Sequence, residues 1–128
     1  MALFGRRKDN TSSIRSSASS VQGRRLSTSL DLAGCEQMFR TLAHDQGGYT
    51  EFESAGWAGG DSPAFVIAAC RSGRPALYLA AWDRGSEREL NLVPATDPAQ
   101  LPQSMIGSWK MQDSSLSSTG TVTDFPVD

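Results

Sequence analysis

With 128 residues, the chain has room for one domain and little more. Its longest apolar runs, residues 64–70 and 76–82, are far short of the ~20 residues a membrane-crossing helix needs, and two cysteines do not make a disulfide framework. The formal net charge of −2 hides an asymmetry: Arg6, Arg7, Lys8, Arg15, Arg24 and Arg25 stand against Asp9 alone in residues 1–27, while the rest of the chain is acidic, which argues against a folded body that grips a phosphate backbone.

Residues 1–27 are rich in Ser and Arg and lack apolar periodicity, so they are expected to form a disordered basic tail. The same composition fits an organellar transit peptide, which makes an organelle the alternative to a cytoplasmic location. The opening apolar run, Met1 to Phe4, is too short for a secretory signal, and Ala2 stands where N-myristoylation needs glycine. Leu3 and Phe4 beside Arg6-Arg7-Lys8 give only a weak membrane foot. Removing residues 1–26 is expected to leave the fold intact, because tail changes cost little.

Arg24-Arg25-Leu26-Ser27 resembles the Arg-Arg-x-Ser sequence favoured by basophilic protein kinases. Ser27 is therefore the candidate phosphorylation site. With Thr28 read as a helix N-cap, a phosphate at Ser27 would meet unpaired amides and a positive helix end.

The first helix is expected over residues 29–46, with Leu32, Cys35, Phe39, Leu42 and Ala43 on one stripe and Met38 at its margin. Thr28-Ser29-Leu30-Asp31 fits a capping box, Glu36 and Arg40 lie four apart in the favourable order, and Gly47-Gly48 ends the helix. A short strand follows near Tyr49 to Glu53. Residues 54–63 contain Gly56, Gly59, Gly60 and Pro63 and read as a loop.

Residues 64–93 carry three apolar runs separated by two glycine-containing loops, the pattern of an antiparallel meander. With loops at Ser72-Gly73 and Arg84-Gly85-Ser86, Ile67 is expected opposite Tyr78 and Leu92, and Trp82 opposite Arg88 as a cation–π pair. Phe65, Ile67, Ala69, Tyr78, Ala80, Trp82, Leu90 and Leu92 then share one face. Val66, Leu77 and Leu79 fall on the other, which must also be covered, since the first two strands are apolar on both sides. A second helix is expected over about residues 102–111, presenting Met105, Ile106 and Trp109, after a turn at 96–100. It is the candidate cover for the second face. Residues 112–128 are Ser/Thr-rich, acidic and expected to be disordered.

The expected fold is thus α+β: a three- to four-stranded antiparallel sheet, one long N-terminal helix and a short C-terminal helix, in a single domain over residues 28–111. Catalytic chemistry finds no constellation. Cys35 and His44, nine residues apart on one helix, point to opposite faces. Metal-ligand spacings are missing, and no cofactor motif is present. Tyr78 and Trp82 suggest a base-stacking platform, but the sheet is too acidic and too apolar for single-stranded nucleic acid. The leading expectation is a non-enzymatic protein-interaction module (an adaptor, chaperone-like or regulatory subunit) that meets a protein partner or a second copy of itself through an apolar sheet face around Val66, Leu77 and Leu79. The alternative is a small-ligand-binding domain or minor enzyme that uses the Gly56–Ser62 loop, with Trp57, Gly59 and Gly60 as binding residues.

Overall fold

A computed structural model describes residues 22–95 and 100–128. In chain order the elements are β1 (Gly23–Thr28), α1 (Leu32–Gly47), β2 (Glu51–Ser54), β3 (Phe65–Arg71), β4 (Arg74–Asp83), β5 (Arg88–Pro94), α2 (Gln100–Gln112) and β6 (Ser117–Val122). The strands form one antiparallel sheet in the order β2-β3-β4-β5-β1-β6. The fold is α+β as expected, but with six strands rather than three or four.

The two unexpected strands lie in the segments read as tails. β1 has a single large apolar residue, Leu26, and β6 reads Ser-Ser-Thr-Gly-Thr-Val. Neither has a pattern that composition can detect. β1 instead gains order from ladders on both sides, pairing Leu26 with Leu90 and with Ser118. Leu26 is fully buried, so the expectation that residues 1–26 can be removed freely is corrected: that cut takes a core side chain and most of a central strand.

α1 is close to its sequence reading. Cys35, Phe39, Leu42 and Ala43 are buried, and Leu32 and Met38 pack at the margin. Its N-cap is Asp31 rather than Thr28: Asp31 Oδ1 accepts from Gly34 N at 2.8 Å. Gly48 ends the helix at φ 71°, a left-handed conformation that favours glycine. α2 starts at Gln100 and keeps Pro102 in its first turn, where a missing N–H leaves no bond unmade. Met105 and Trp109 of α2 are fully buried. Both helices lie on one face of the sheet, called here the inner face.

The register corrects the expected faces of one strand. Ser72 (φ 55°) and Gly73 (φ 76°) make a two-residue hairpin loop with both residues at positive φ, so Arg71 pairs with Arg74 as expected. Pro75 follows, without an N–H to give the ladder. The pairing jumps from Cys70–Pro75 to Ala69–Leu77, leaving Ala76 as a bulge. That one-residue slip turns β4 over. Ile67 lies opposite Leu79, which lies opposite Leu92, so Leu77 and Leu79 join the inner core. Tyr78, Ala80 and Trp82 move to the outer face beside Val66. The next loop has four residues rather than three, so Asp83, not Trp82, pairs with Arg88. Arg84 is the cation over the Trp82 ring, 5.7 Å from its centroid.

A polar staple joins the approach to α1 with the end of α2. Thr28 Oγ1, Trp109 Nε1 and Ser115 Oγ all donate to the Asp113 carboxylate. Burial would raise the Asp113 carboxyl, but the bonds from Ser115, Thr28 and Trp109 outweigh it and hold the group below its usual range. Nearby, Arg88 donates to the carbonyls of Leu30 at 2.9 Å and Ser29 at 3.1 Å, fixing the link from β1 to α1. Among the described residues, no helix is long and apolar enough to cross a membrane.

Candidate functional site on the outer sheet face

The outer face is covered by two pieces of this chain, and α2 is not one of them. One piece is the glycine-containing loop after β2. The other is the segment that follows β6, residues 123–128, which runs back across the sheet. The expectation that the second face needs a cover holds; the candidate cover does not.

The loop is anchored at both ends by backbone bonds, from Ala55 N to the Val66 carbonyl at 2.9 Å and from Ala64 N to the Ala81 carbonyl at 2.7 Å. Between them, Trp82 Nε1 donates to the Asp61 carbonyl at 2.8 Å, and Arg84 bridges Asp61 at 2.6 Å and Glu89 at 3.1 Å. These bonds hold Trp57 over the sheet. Its ring meets Trp82 edge to face at 5.2 Å and Phe125 edge to face at 5.4 Å. Phe125 also lies 5.4 Å from the Tyr78 ring. Val66 and Ala80 form the floor.

Two of the loop's three glycines, Gly56 and Gly59, have a steric purpose. A Cβ at Gly59 would come within 2.8 Å of Pro126, and a Cβ at Gly56 within 2.7 Å of the Asp128 carboxylate. Backbone and tail meet at both points, and Ala58 N donates to the Pro126 carbonyl at 3.2 Å. Gly60, by contrast, has open space where a Cβ would go. Of the residues singled out from sequence, Trp57, Gly59 and Val66 are thus brought together, Gly60 stands apart, and Leu77 and Leu79 lie in the inner core.

Two polar atoms on this face are buried without a hydrogen-bond partner among the described residues: Trp57 Nε1 and Asn91 Oδ1. Asn91 is only 6% exposed. It sits between inner-facing Leu90 and Leu92, and it pairs with Ala80 of the groove floor and with Arg25. Beside the tail, a notch of about 290 Å³ opens between Tyr78, Val93, Pro94, Ala95, Phe125 and Val127.

A second cluster lies at the β2 edge. Cys70 Sγ donates to Glu53 at 3.1 Å, and Glu51 accepts from Gly73 N at 3.2 Å. Burial, with the hydrogen bond and charge of Glu53, pushes the Cys70 thiol up to about 11. A thiol held there stays protonated near neutral pH and is a poor nucleophile. Tyr78 is also raised, first by burial and then by Cys70 and Glu53. Cys35 is fully buried on the inner face, and His44 is exposed beside Asp45, so the two do not meet. No group of three or more His, Cys, Asp and Glu side chains among the described residues is arranged to hold a metal ion.

Ser27 lies within β1, not at a helix start. Its hydroxyl donates to Glu87 at 3.0 Å, and its strand partner is Glu89. A phosphate there would face two carboxylates rather than free amides, which removes the physical basis of the helix-tightening switch.

Tyr78 and Trp82 were weighed only as a base-stacking platform, and Asn91 and Phe125 were not singled out by sequence reasoning. The first two were assigned to the wrong face by the register slip. Phe125-Pro126-Val127 is an apolar triplet in an otherwise polar tail, and that contrast was the available signal. No family model matches the chain, and neither the curated proteins nor the solved structures contain a match to it.

Proposed function

We propose that this chain is a non-enzymatic protein-interaction module whose binding surface is the outer face of the sheet. The observation that carries the reading is the aromatic groove of Trp57, Tyr78 and Trp82, which accepts a peptide segment, at present the chain's own residues 123–128. Aromatic walls over a sheet, with glycines that leave room for the side chains of a docked segment, are the equipment of extended-peptide recognition. The Gly56–Ser62 loop serves this role as a wall of the groove, in place of the small-ligand site first considered for it.

Display of random linear peptides against the full chain tests the reading, with each selected binder mapped by amide chemical shifts. The expected result is a set of binders that shift Tyr78, Ala80 and Trp82. Selection of no binder, or of binders that shift only α1 and α2, would overturn it.

A further inference from the structure

We propose that residues Asp124–Val127 are a built-in copy of the ligand. The groove takes an extended segment of another protein, carrying Phe-Pro followed by an aliphatic residue, and the chain's own copy leaves when that segment binds. This inference rests on the reading of the outer face as a protein-binding surface and adds the ligand's chemistry and its competitor.

The fit of the tail is specific. Phe125 fills the angle between Trp57 and Tyr78, and Pro126 occupies the space that Gly59 leaves free. Proline presets its own φ and biases the residue before it towards an extended form, so a Phe-Pro segment arrives largely ordered. That lowers the entropy lost on docking and is the usual advantage of proline-containing ligands.

The hold on the tail is thin. Among the described residues, one backbone hydrogen bond, Ala58 N to the Pro126 carbonyl, ties residues 123–128 to the body. Phe125, Pro126 and Val127 are all only half-buried. The tail also leaves the groove incompletely used. Trp57 Nε1, a donor, and Asn91 Oδ1, an acceptor, lack partners, and the notch beside Val127 stays open. Buried polar groups in native structures nearly always find partners. A segment that continues past the Phe-Pro core supplies main-chain carbonyls and amides for the two atoms and a larger aliphatic side chain for the notch. The tail is thus a resident ligand that a better-matched one displaces.

The test uses the full chain and a fluorescently labelled octapeptide of residues 121–128, followed by anisotropy. While the tail occupies the groove, the apparent affinity is reduced by the fraction of time the groove is open. Phe125→Ala in the protein is therefore expected to tighten octapeptide binding by ~10-fold or more, as for a groove open a tenth of the time or less. The same change in the peptide is expected to abolish binding, and Gly59→Ala added to the Phe125→Ala protein is expected to block the proline seat. Circular dichroism checks that each variant is folded. Pro126→Gly is the second variant, loosening the tail without removing a ring, and it too should tighten binding. Equal binding by wild type and both tail variants, or no binding by a folded variant, overturns the inference. If display still yields outer-face binders that the octapeptide does not compete with, the interaction reading stands and only the built-in ligand falls.

Discussion

The two faces of the sheet are covered in different ways. The inner face is sealed by α1 and α2, and its core residues Leu26, Leu79, Leu90, Leu92, Phe39, Met105 and Trp109 are fully buried. The outer face is roofed by a loop and a six-residue tail, and its aromatic roof of Trp57 and Phe125, with Tyr78 beneath, is only partly buried. The first arrangement is what a stable core needs. The second has apolar surface, specific geometry and little cooperative support, which is where local opening is cheapest. The contrast places stability on one side and binding on the other.

The largest expected effect is on the inner face. Leu79 is fully buried and lies between Ile67 and Leu92 in adjacent strands. Leu79→Ala should cost about 2–5 kcal/mol, enough to move the midpoint of denaturant unfolding strongly. If Leu79→Ala cost no more than a change on the outer face, the division between the faces would be lost.

The staple comes next. Asp113→Ala leaves Thr28 Oγ1 and Trp109 Nε1 without their acceptor in a part-buried site and should cost about 1–3 kcal/mol. The pH dependence has a definite sign. The folded carboxyl lies below its usual range, so the unfolded chain binds the proton more readily. The contribution of Asp113 is therefore present above about pH 4 and is lost as pH falls through the folded value. Denaturant midpoints measured across that acid range should fall in the wild type and fall less steeply in Asp113→Ala, where the lowered Asp83 carboxyl remains.

How much of this was legible in the sequence follows from the same contrast. α1 could be read because a stripe of Cys35, Phe39, Leu42 and Ala43 is both its pattern and its packing. The meander could be read because its runs are apolar and its turns carry glycine. β1 and β6 could not, since they are held by backbone ladders that leave no pattern in Gly-Arg-Arg-Leu-Ser-Thr or Ser-Ser-Thr-Gly-Thr-Val. The outer groove was hidden by a single residue. The alternation along β4 is sound on either face, and only the bulge at Pro75 and Ala76 decides which set faces the helices. The loop was noticed for its glycines, but what they make room for is a tail more than sixty residues away.

Phe125→Ala is expected to be mild for global stability, about 1 kcal/mol, since the ring is half-buried and gives up mainly its aromatic pairs. Its signature is local. Amide exchange at Ala58, whose N–H is bonded to Pro126, should speed up, while exchange at Leu79 and Leu92 stays governed by global unfolding. Equal acceleration on both faces would mean that the tail is part of the core.

The smallest effect is a difference in rate between the two thiols, and it sharpens the comparison without any mutation. Cys35 and Cys70 are both buried, and both are pushed up to about 11, chiefly by burial. Neither offers much thiolate to a labelling reagent at pH 8, so each must be exposed before it reacts. Their routes to exposure differ. Cys35 lies inside α1, against the sheet, and its thiol points to the Leu30 carbonyl at 3.7 Å, so it is released only when the inner core opens. Cys70 is covered from the side by β2, a four-residue strand at the sheet edge, through its contact with Glu53. Fraying of β2 exposes it without disturbing either helix. Low denaturant should therefore speed Cys35 labelling in step with global unfolding and leave Cys70 labelling nearly unchanged until the main transition. The two thiols following one denaturant dependence would show that β2 and the inner core open together, and would remove the low-stability edge from the outer half of the molecule.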